Sequence, residues 1–352
     1  MKRSILMAVC ACALGAGFAT AQDSTAPLPA LGADLERTTV SGISSGGFMA
    51  AQLATAYSGR VAGVGVVAAG PYYCAHTYKA LSNLENATDV CMTPITPAVA
   101  ASAEISLRNA AAFARADRID PVANLARQRV YAFSGANDNT VKTVVVDQVE
   151  KYYRLAGAPA AGIRYVRSKD AGHAFATSNR DDQPCAATAS PYINNCKIDQ
   201  AHDLLRHLHP ERTGPIERDA ARGKLLSFNQ KEFVTGNRSS MDDEAFVYVP
   251  DSCARQAGCA VHIAFHGCLQ GATEIGSRFY RHVGYNAFAD ANRLIVLYPQ
   301  AHRSSGIPFN PQGCWDFWGY SNGNQDPATF ATRSAPQMRA VMAMVERLGR
   351  KP

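Results

Sequence analysis

Strands and helices alternate along this 352-residue chain, which predicts an α/β protein with a mainly parallel central sheet flanked by helices. Three observations carry that expectation. Near-continuous apolar runs, such as Val61 to Ala69 and Arg129 to Phe133, suit strands buried on both faces. Stretches of helical composition separate them at the spacing of crossover connections. A glycine-rich corner, Gly42-Ile43-Ser44-Ser45-Gly46, joins a β-branched strand to a helix that starts with small residues.

The first strand is centred on Thr38-Thr39-Val40, and the helix after the corner runs from Gly46 to Tyr57. After the strand at Val61, residues 72–96 read as a loop that Cys74 and Cys91 can staple, and 98–114 as a helix. The strand at Arg129, a helix over 141–155, a strand over 163–166 and a helix over 200–208 complete the first half. Residues 210–224 are polar and carry Pro210, Gly214 and Pro215, as a connection between halves would. In the second half strands are expected over 224–233, 245–249, 260–265 and 294–297. Helices are expected over 272–280, 285–292 and 337–348.

Met1-Lys2-Arg3, an apolar run from Ile5 to Phe18 and Ala19-Thr20-Ala21 have the form of a secretory signal peptide over residues 1–21. Cys10 and Cys12 fall within it. The remaining 22–352 is read as one catalytic domain in two halves, 36–209 and 225–352, with two independent domains as the alternative. No later segment has the apolar length of a membrane span, so a secreted or periplasmic protein without stable membrane insertion is expected. The formal charge of +6 includes Lys2 and Arg3 and contains no basic block, which argues against nucleic acid as a partner. Eight cysteines follow the leader, and in an exported chain they read as disulfides. Nearest-neighbour pairing is the economical arrangement: Cys74–Cys91, Cys185–Cys196, Cys253–Cys259 and Cys268–Cys314. No C-x-x-C or H-E-x-x-H pattern supports a metal site, and His202, His207 and His209 read as solvated helix-end residues. No cofactor is expected.

The corner fits G-x-S-x-G, the nucleophile elbow of α/β-hydrolases. Strand and helix crowd together there, so the flanking positions must lack side chains, and the turn lifts the serine Oγ above the sheet. The chain supplies a control, because Gly319-Tyr320-Ser321-Asn322-Gly323 fits the same pattern without a preceding strand or a following helix. Ser44 is therefore the candidate nucleophile, against a tight structural turn, and Ser45 lacks the glycine its own elbow would need. In the chain order Ser, Asp, His, the loop Ser134-Gly135-Ala136-Asn137-Asp138 supplies Asp138, and Asp170-Ala171-Gly172-His173 supplies His173 one helix–strand step later. Asp138 could instead be a turn or cap residue, His173 a plain loop histidine, and Asp170 is the rival acid.

The nucleophile comes almost first after the leader, whereas in an ordinary α/β-hydrolase a hairpin and the oxyanion strand precede it. Here hairpin-like strands and Phe265-His266-Gly267-Cys268 come in the second half. A circular permutation joined near residues 210–224 accounts for this order. Cys268 N–H would then complement Ser45 N–H in an oxyanion hole, the alternative being a glycine turn with a structural cysteine. Trp315 and Trp318, in Cys314-Trp315-Asp316-Phe317-Trp318, are candidates to touch an apolar substrate, with core packing an equal reading.

Six segments resemble the single-domain polyhydroxybutyrate depolymerases, a secreted branch of the α/β-hydrolases: VSGISSGGFMAAQLA (40–54), VVAAGPYYCA (66–75), YAFSGANDNTV (131–141), DAGHAF (170–175), FHGCLQ (265–270) and GCWDFWGY (313–320). The resemblance implies a permuted hydrolase fold, a triad matching Ser44, Asp138 and His173, and an oxyanion hole from Ser45 and Cys268. It further implies a tryptophan at the mouth, Trp315 or Trp318, with Tyr72 a third substrate-binding candidate, and a polyester or oligoester substrate. Similar sequences include poly(aspartic acid) hydrolases and, more widely, feruloyl or acetylxylan esterases. A disulfide-rich binding protein without catalysis is the contrasting class.

Overall fold

The computed structural model describes residues 26–215, 221–322 and 328–352; the expected signal peptide lies outside them. In chain order the strands are β1 (Asp34–Ile43), β2 (Val61–Val67), β3 (Arg129–Gly135), β4 (Ile163–Ser168), β5 (Phe175–Thr177), β6 (Gln183–Pro184), β7 (Ile193–Asn195), β8 (Lys224–Asn229), β9 (Glu244–Val249), β10 (Ala260–Phe265) and β11 (Leu294–Tyr298). Eight of them form one sheet in the order β4-β3-β2-β1-β10-β11-β9-β8. β9 is antiparallel to both its neighbours, and every other pairing in that sheet is parallel.

Counting from β8 through the end of the chain and on to β1–β4 turns that spatial order into 1-2-4-3-5-6-7-8. The hairpin then comes first, the strand that leads into Gly267-Cys268 third and the strand that leads into Ser44 fifth. This is the permuted α/β-hydrolase arrangement. Because β1 pairs with β10, one sheet crosses both halves of the sequence.

The longer helices are α1 (Ser45–Ala56), α2 (Ala103–Arg115), α3 (Thr143–Leu155), α4 (Gln200–Leu208), α5 (Tyr285–Asn292) and α6 (Pro336–Gly349). Period-two alternation divides the strand residues between two cores. Val130, Ala132, Ile263, Phe265 and Leu297 pack with α1, α2, α3 and α6. Tyr131, Phe133, Ala264, Val296 and Tyr298 pack on the other face with α4 and α5. Both faces are covered, which is why these strands read as unbroken apolar runs. No helix among the described residues is long and apolar enough to cross a membrane.

Two expected elements differ. The helix over 272–280 is two short pieces, Ala272–Ile275 and Arg278–His282, because Gly276 turns the chain with φ +60°. The strand from Lys224 stops at Asn229, whose side-chain oxygen accepts the Lys231 N–H and turns the chain. The small sheet β5-β7-β6 has strands of two or three residues, too short to leave a periodic signal.

The α4/α5 face of β1 carries a buried polar chain. Thr39 Oγ1 lies 2.9 Å from His209 Nε2 and 2.8 Å from His262 Nδ1. Ser41 Oγ lies 2.8 Å from His262 Nε2 and 2.7 Å from Tyr285 OH. His209 is therefore a core residue, 3% exposed, and not the solvated histidine its helix-end position suggested. Its Nδ1 faces the Glu211 carboxylate at 3.8 Å, and a carboxylate only accepts, so Nε2 is left to accept from Thr39. The donors then run in one direction, from Tyr285 through Ser41, His262 and Thr39 to His209.

Burial lowers the pKa of both rings, His262 well below the usual value; His209 also faces Arg212 and Arg37, which lower it, and Glu211, which raises it. The unfolded chain takes up protons near pH 6.5 where the native rings do not, so this stability is present above roughly pH 6.5 and is lost as pH falls below it. Urea midpoints should be lower at pH 5.0 than at pH 7.5, and the gap should narrow in a Thr39→Val/Ser41→Ala/His262→Phe variant. Equal wild-type midpoints would contradict the assignment.

Candidate active site

β1 ends at Ile43 and α1 begins at Ser45, so Ser44 alone makes the turn, with φ 56° and ψ −126°. That backbone region is sparsely populated for a residue with a Cβ and costs on the order of 1–3 kcal/mol. Contacts on every side hold it. Ser44 N–H donates to Val67 O at 2.9 Å and Ser44 O accepts Phe48 N–H at 3.0 Å. A Cβ on Gly42 would lie 2.3 Å from Gly46 O, and one on Gly46 would lie 2.3 Å from His266 O. Both motif glycines are therefore required by close backbone approach. Ser45 is buried, and its Oγ accepts the Trp315 N–H at 3.2 Å, so its hydroxyl is committed to packing.

Asp138 stands in the loop after β3, where Asp138 Oδ1 accepts the N–H groups of Thr140 and Val141, each at 2.8 Å. The turn-forming role and the acid role thus coexist, because Oδ2 is left for His173 Nδ1 at 2.8 Å. Asp138 is 4% and His173 6% exposed, which keeps water from competing for that bond. His173 N–H donates to Thr188 Oγ1 at 3.1 Å, anchoring the loop to the segment stapled by Cys185–Cys196. Asp170, the rival acid, is exposed and does not contact the ring; its carbonyl accepts from the Asn137 side chain.

Ser44 and His173 share a cavity of about 120 Å³ with Gly267, Cys268, Leu269 and Gln312. A larger cavity, about 550 Å³, is lined by Asp199, His202, Arg281 and His282 and includes none of these site residues. The Ser45 N–H is the first of α1 and has no intrahelical acceptor. In the loop after β10, Gly267 N–H donates to Gln270 Oε1 and Leu269 N–H to Gln312 O, each at 2.8 Å. Cys268 N–H, between them, has no recorded acceptor among the described residues. The four disulfides among the described residues pair nearest neighbours, and Cys268–Cys314 fastens this loop to the tryptophan segment.

The substrate-binding aromatics need correction. Trp315 is 0% exposed, with its ring centroid 4.7 Å from that of Phe265, so it is core. Tyr72 is also 0% exposed and donates its hydroxyl to Ala331 O at 2.8 Å. Trp318 is half-buried and packs edge-on against Phe317 and Tyr320. The second G-x-S-x-G match has a structural use: Ser321 Oγ donates to the buried Asp316 carboxylate, which also accepts four backbone N–H groups from Trp318 to Ser321.

The site residues that sequence reasoning missed are Thr188, Gln270 and His266. Gln270 and His266 stand in FHGCLQ (265–270), but besides Gly267 their partners are Pro191, Tyr192 and Ala301, far along the chain. Gly46→Ala should push the loop at His266 away from the elbow. It should destabilise by about 1–3 kcal/mol, read from urea unfolding, and slow fluorophosphonate labelling. Wild-type stability and labelling would contradict the steric reading.

No family model matches the chain. It is 40% identical over 327 residues to a poly(3-hydroxybutyrate) depolymerase of Delftia acidovorans, covering 91% of this chain and 61% of that relative's length. It is 36% identical over 353 residues to a polyhydroxybutyrate depolymerase of Talaromyces funiculosus, covering 96% and 95%. Among solved structures, a PHB depolymerase from Penicillium funiculosum superposes with a TM-score of 0.79 at 32% identity, over 93% of this chain and 100% of that one. A serine-to-alanine PHB depolymerase variant complexed with an R3HB trimer gives 0.78 at 33%, with the same coverage. The chain spans only about three fifths of the Delftia relative's length, but its 36% identity to the Talaromyces relative over nearly the full length of both chains, with the superposition on the Penicillium structure, places it in the polyhydroxybutyrate depolymerase family.

Proposed function

We propose that this protein is a secreted serine esterase that cleaves poly(3-hydroxybutyrate) or related 3-hydroxyalkanoate esters through an acyl-enzyme. The observation that carries the reading is the Asp138–His173 hydrogen bond at the cavity that Ser44 enters from its strained turn. The names of the relatives, one of them complexed with an R3HB trimer, support the substrate class.

In this mechanism His173 Nε2 takes the proton from Ser44 Oγ as Oγ bonds to the ester carbonyl carbon. Asp138 holds the Nδ1–H tautomer and stabilises the imidazolium. The carbonyl oxygen gains negative charge and meets Ser45 N–H and Cys268 N–H. Collapse expels the alcohol oxygen, which receives the proton from His173. Water, deprotonated by the same ring, then attacks the acyl-enzyme, releases the carboxylic acid and restores Ser44.

Among the described residues, the cavity lining contains no Lys, Arg, Asp or Glu. A neutral polyester suits it better than poly(aspartic acid), whose carboxylates would lose hydration without a cationic partner. Of the three aromatic candidates Trp318 alone retains exposed surface to offer a polymer.

Wild-type enzyme should clear a suspension of amorphous poly(3-hydroxybutyrate), and Ser44→Ala should not. Asp138→Asn should reduce kcat on a soluble p-nitrophenyl ester by about 10³- to 10⁴-fold. Clearing by Ser44→Ala would remove that serine from the mechanism. Faster hydrolysis of poly(aspartate) than of the polyester by wild type would overturn the substrate assignment.

A further inference from the structure

The peptide joining Gly267 to Cys268 carries the Gly267 carbonyl and the Cys268 N–H on one plane, pointing opposite ways. His266 controls that carbonyl. Its Nδ1 lies 2.7 Å from Gly267 O, and its Nε2 lies 3.0 Å from Ala301 N. A backbone N–H can only donate, so Nε2 is the acceptor and bears no hydrogen. In the neutral ring the hydrogen is therefore on Nδ1 and is donated to Gly267 O. The ring is 0% exposed, and burial pulls its pKa down to about 4, which keeps this single tautomer at neutral pH.

Gln270 fixes the other side of Gly267. Its Oε1 accepts the Gly267 N–H at 2.8 Å, and its Nε2 donates to Pro191 O at 3.2 Å and Tyr192 O at 3.0 Å. Both peptide planes flanking Gly267 are thereby set by buried side chains. We propose that His266 is a positioning residue for ester hydrolysis: by holding the Gly267 carbonyl, with its tautomer set by Ala301, it aims the Cys268 N–H at the oxyanion. The ring stands behind the loop and does not line the cavity. A hydrogen bond to the carbonyl also polarises the peptide, so that its N–H becomes a better donor.

This inference rests on the serine-hydrolase reading above. Its test compares wild type, His266→Phe, His266→Asn and His266→Gln on a soluble p-nitrophenyl ester, with thermal melting of each. An alkyl boronic acid, which forms a tetrahedral adduct on the serine, serves as transition-state analogue. Oxyanion contacts act mainly in the transition state, so His266→Phe should lower kcat roughly 10- to 100-fold with KM within about twofold. Boronate affinity should weaken in parallel. The Asn amide can stand near the Nδ1 position and donate to Gly267 O, so His266→Asn should recover much of the loss and His266→Gln should not.

A folded His266→Phe enzyme with wild-type kcat and boronate affinity would overturn the proposal. If the Phe variant does not fold, the Asn and Gln variants decide it, and equal activity in those two would overturn it. Loss of KM alone would do the same. A wild-type protein that does not react with a fluorophosphonate would overturn the hydrolase reading together with this one.

Discussion

The left-handed backbone at Ser44 is the constraint on which the rest of the structure depends. A residue with a side chain adopts that conformation only when its surroundings over-determine it. Here β2 receives its N–H, the first turn of α1 takes its carbonyl, and two glycines let strand, helix and the loop after β10 approach within van der Waals distance. Ser45 then ties the helix start to Trp315, and Phe48, one turn on, stacks against Phe317 at 4.2 Å. The tryptophan segment is thus part of the elbow's support.

The loops around the elbow are fastened at several points. Cys268–Cys314 joins the loop after β10 to the segment organised by Asp316, and Gln270 joins it to the loop that holds His173. Cys185–Cys196 and the small β5-β7-β6 sheet confine the histidine side. Each closed disulfide loop contributes about 2–4 kcal/mol against the unfolded chain. Their placement adds something further, because it holds three strand ends at one cavity, with Ser44 after β1, His173 after β4 and Cys268 after β10. Asp316 illustrates the cost and its compensation: burial pushes its carboxyl pKa up, and hydrogen bonds donated by the Ser321 hydroxyl and by the Ser321, Gly319 and Tyr320 N–H groups oppose that shift.

That Ser44, Asp138 and His173 come together was legible in the sequence because each follows a readable strand or strand–loop boundary at one end of the sheet. The permutation was legible from element order; disulfide connectivity does not follow from sequence, and the economical nearest-neighbour pairing is the one the structure has. The misreadings concern residues whose surroundings come from far along the chain. Tyr72 is buried by a partner 259 residues away, and His209 by one 170 residues away. Whether an indole is core or surface is likewise settled by packing, so Trp315 and Trp318 could not be separated by composition. The short strands β5 to β7 left no periodicity to read, and Gly276 divided a helix whose apolar spacing continued through it.

The most direct test of the account is a crystal structure of the Ser44→Ala protein soaked with a 3-hydroxybutyrate trimer. An ester carbonyl carbon should lie above residue 44, its oxygen within about 3 Å of the Ser45 and Cys268 N–H groups, and His173 Nε2 should face the scissile oxygen. A trimer bound with its carbonyls away from these two donors, or in the larger cavity lined by Asp199 and Arg281, would contradict it.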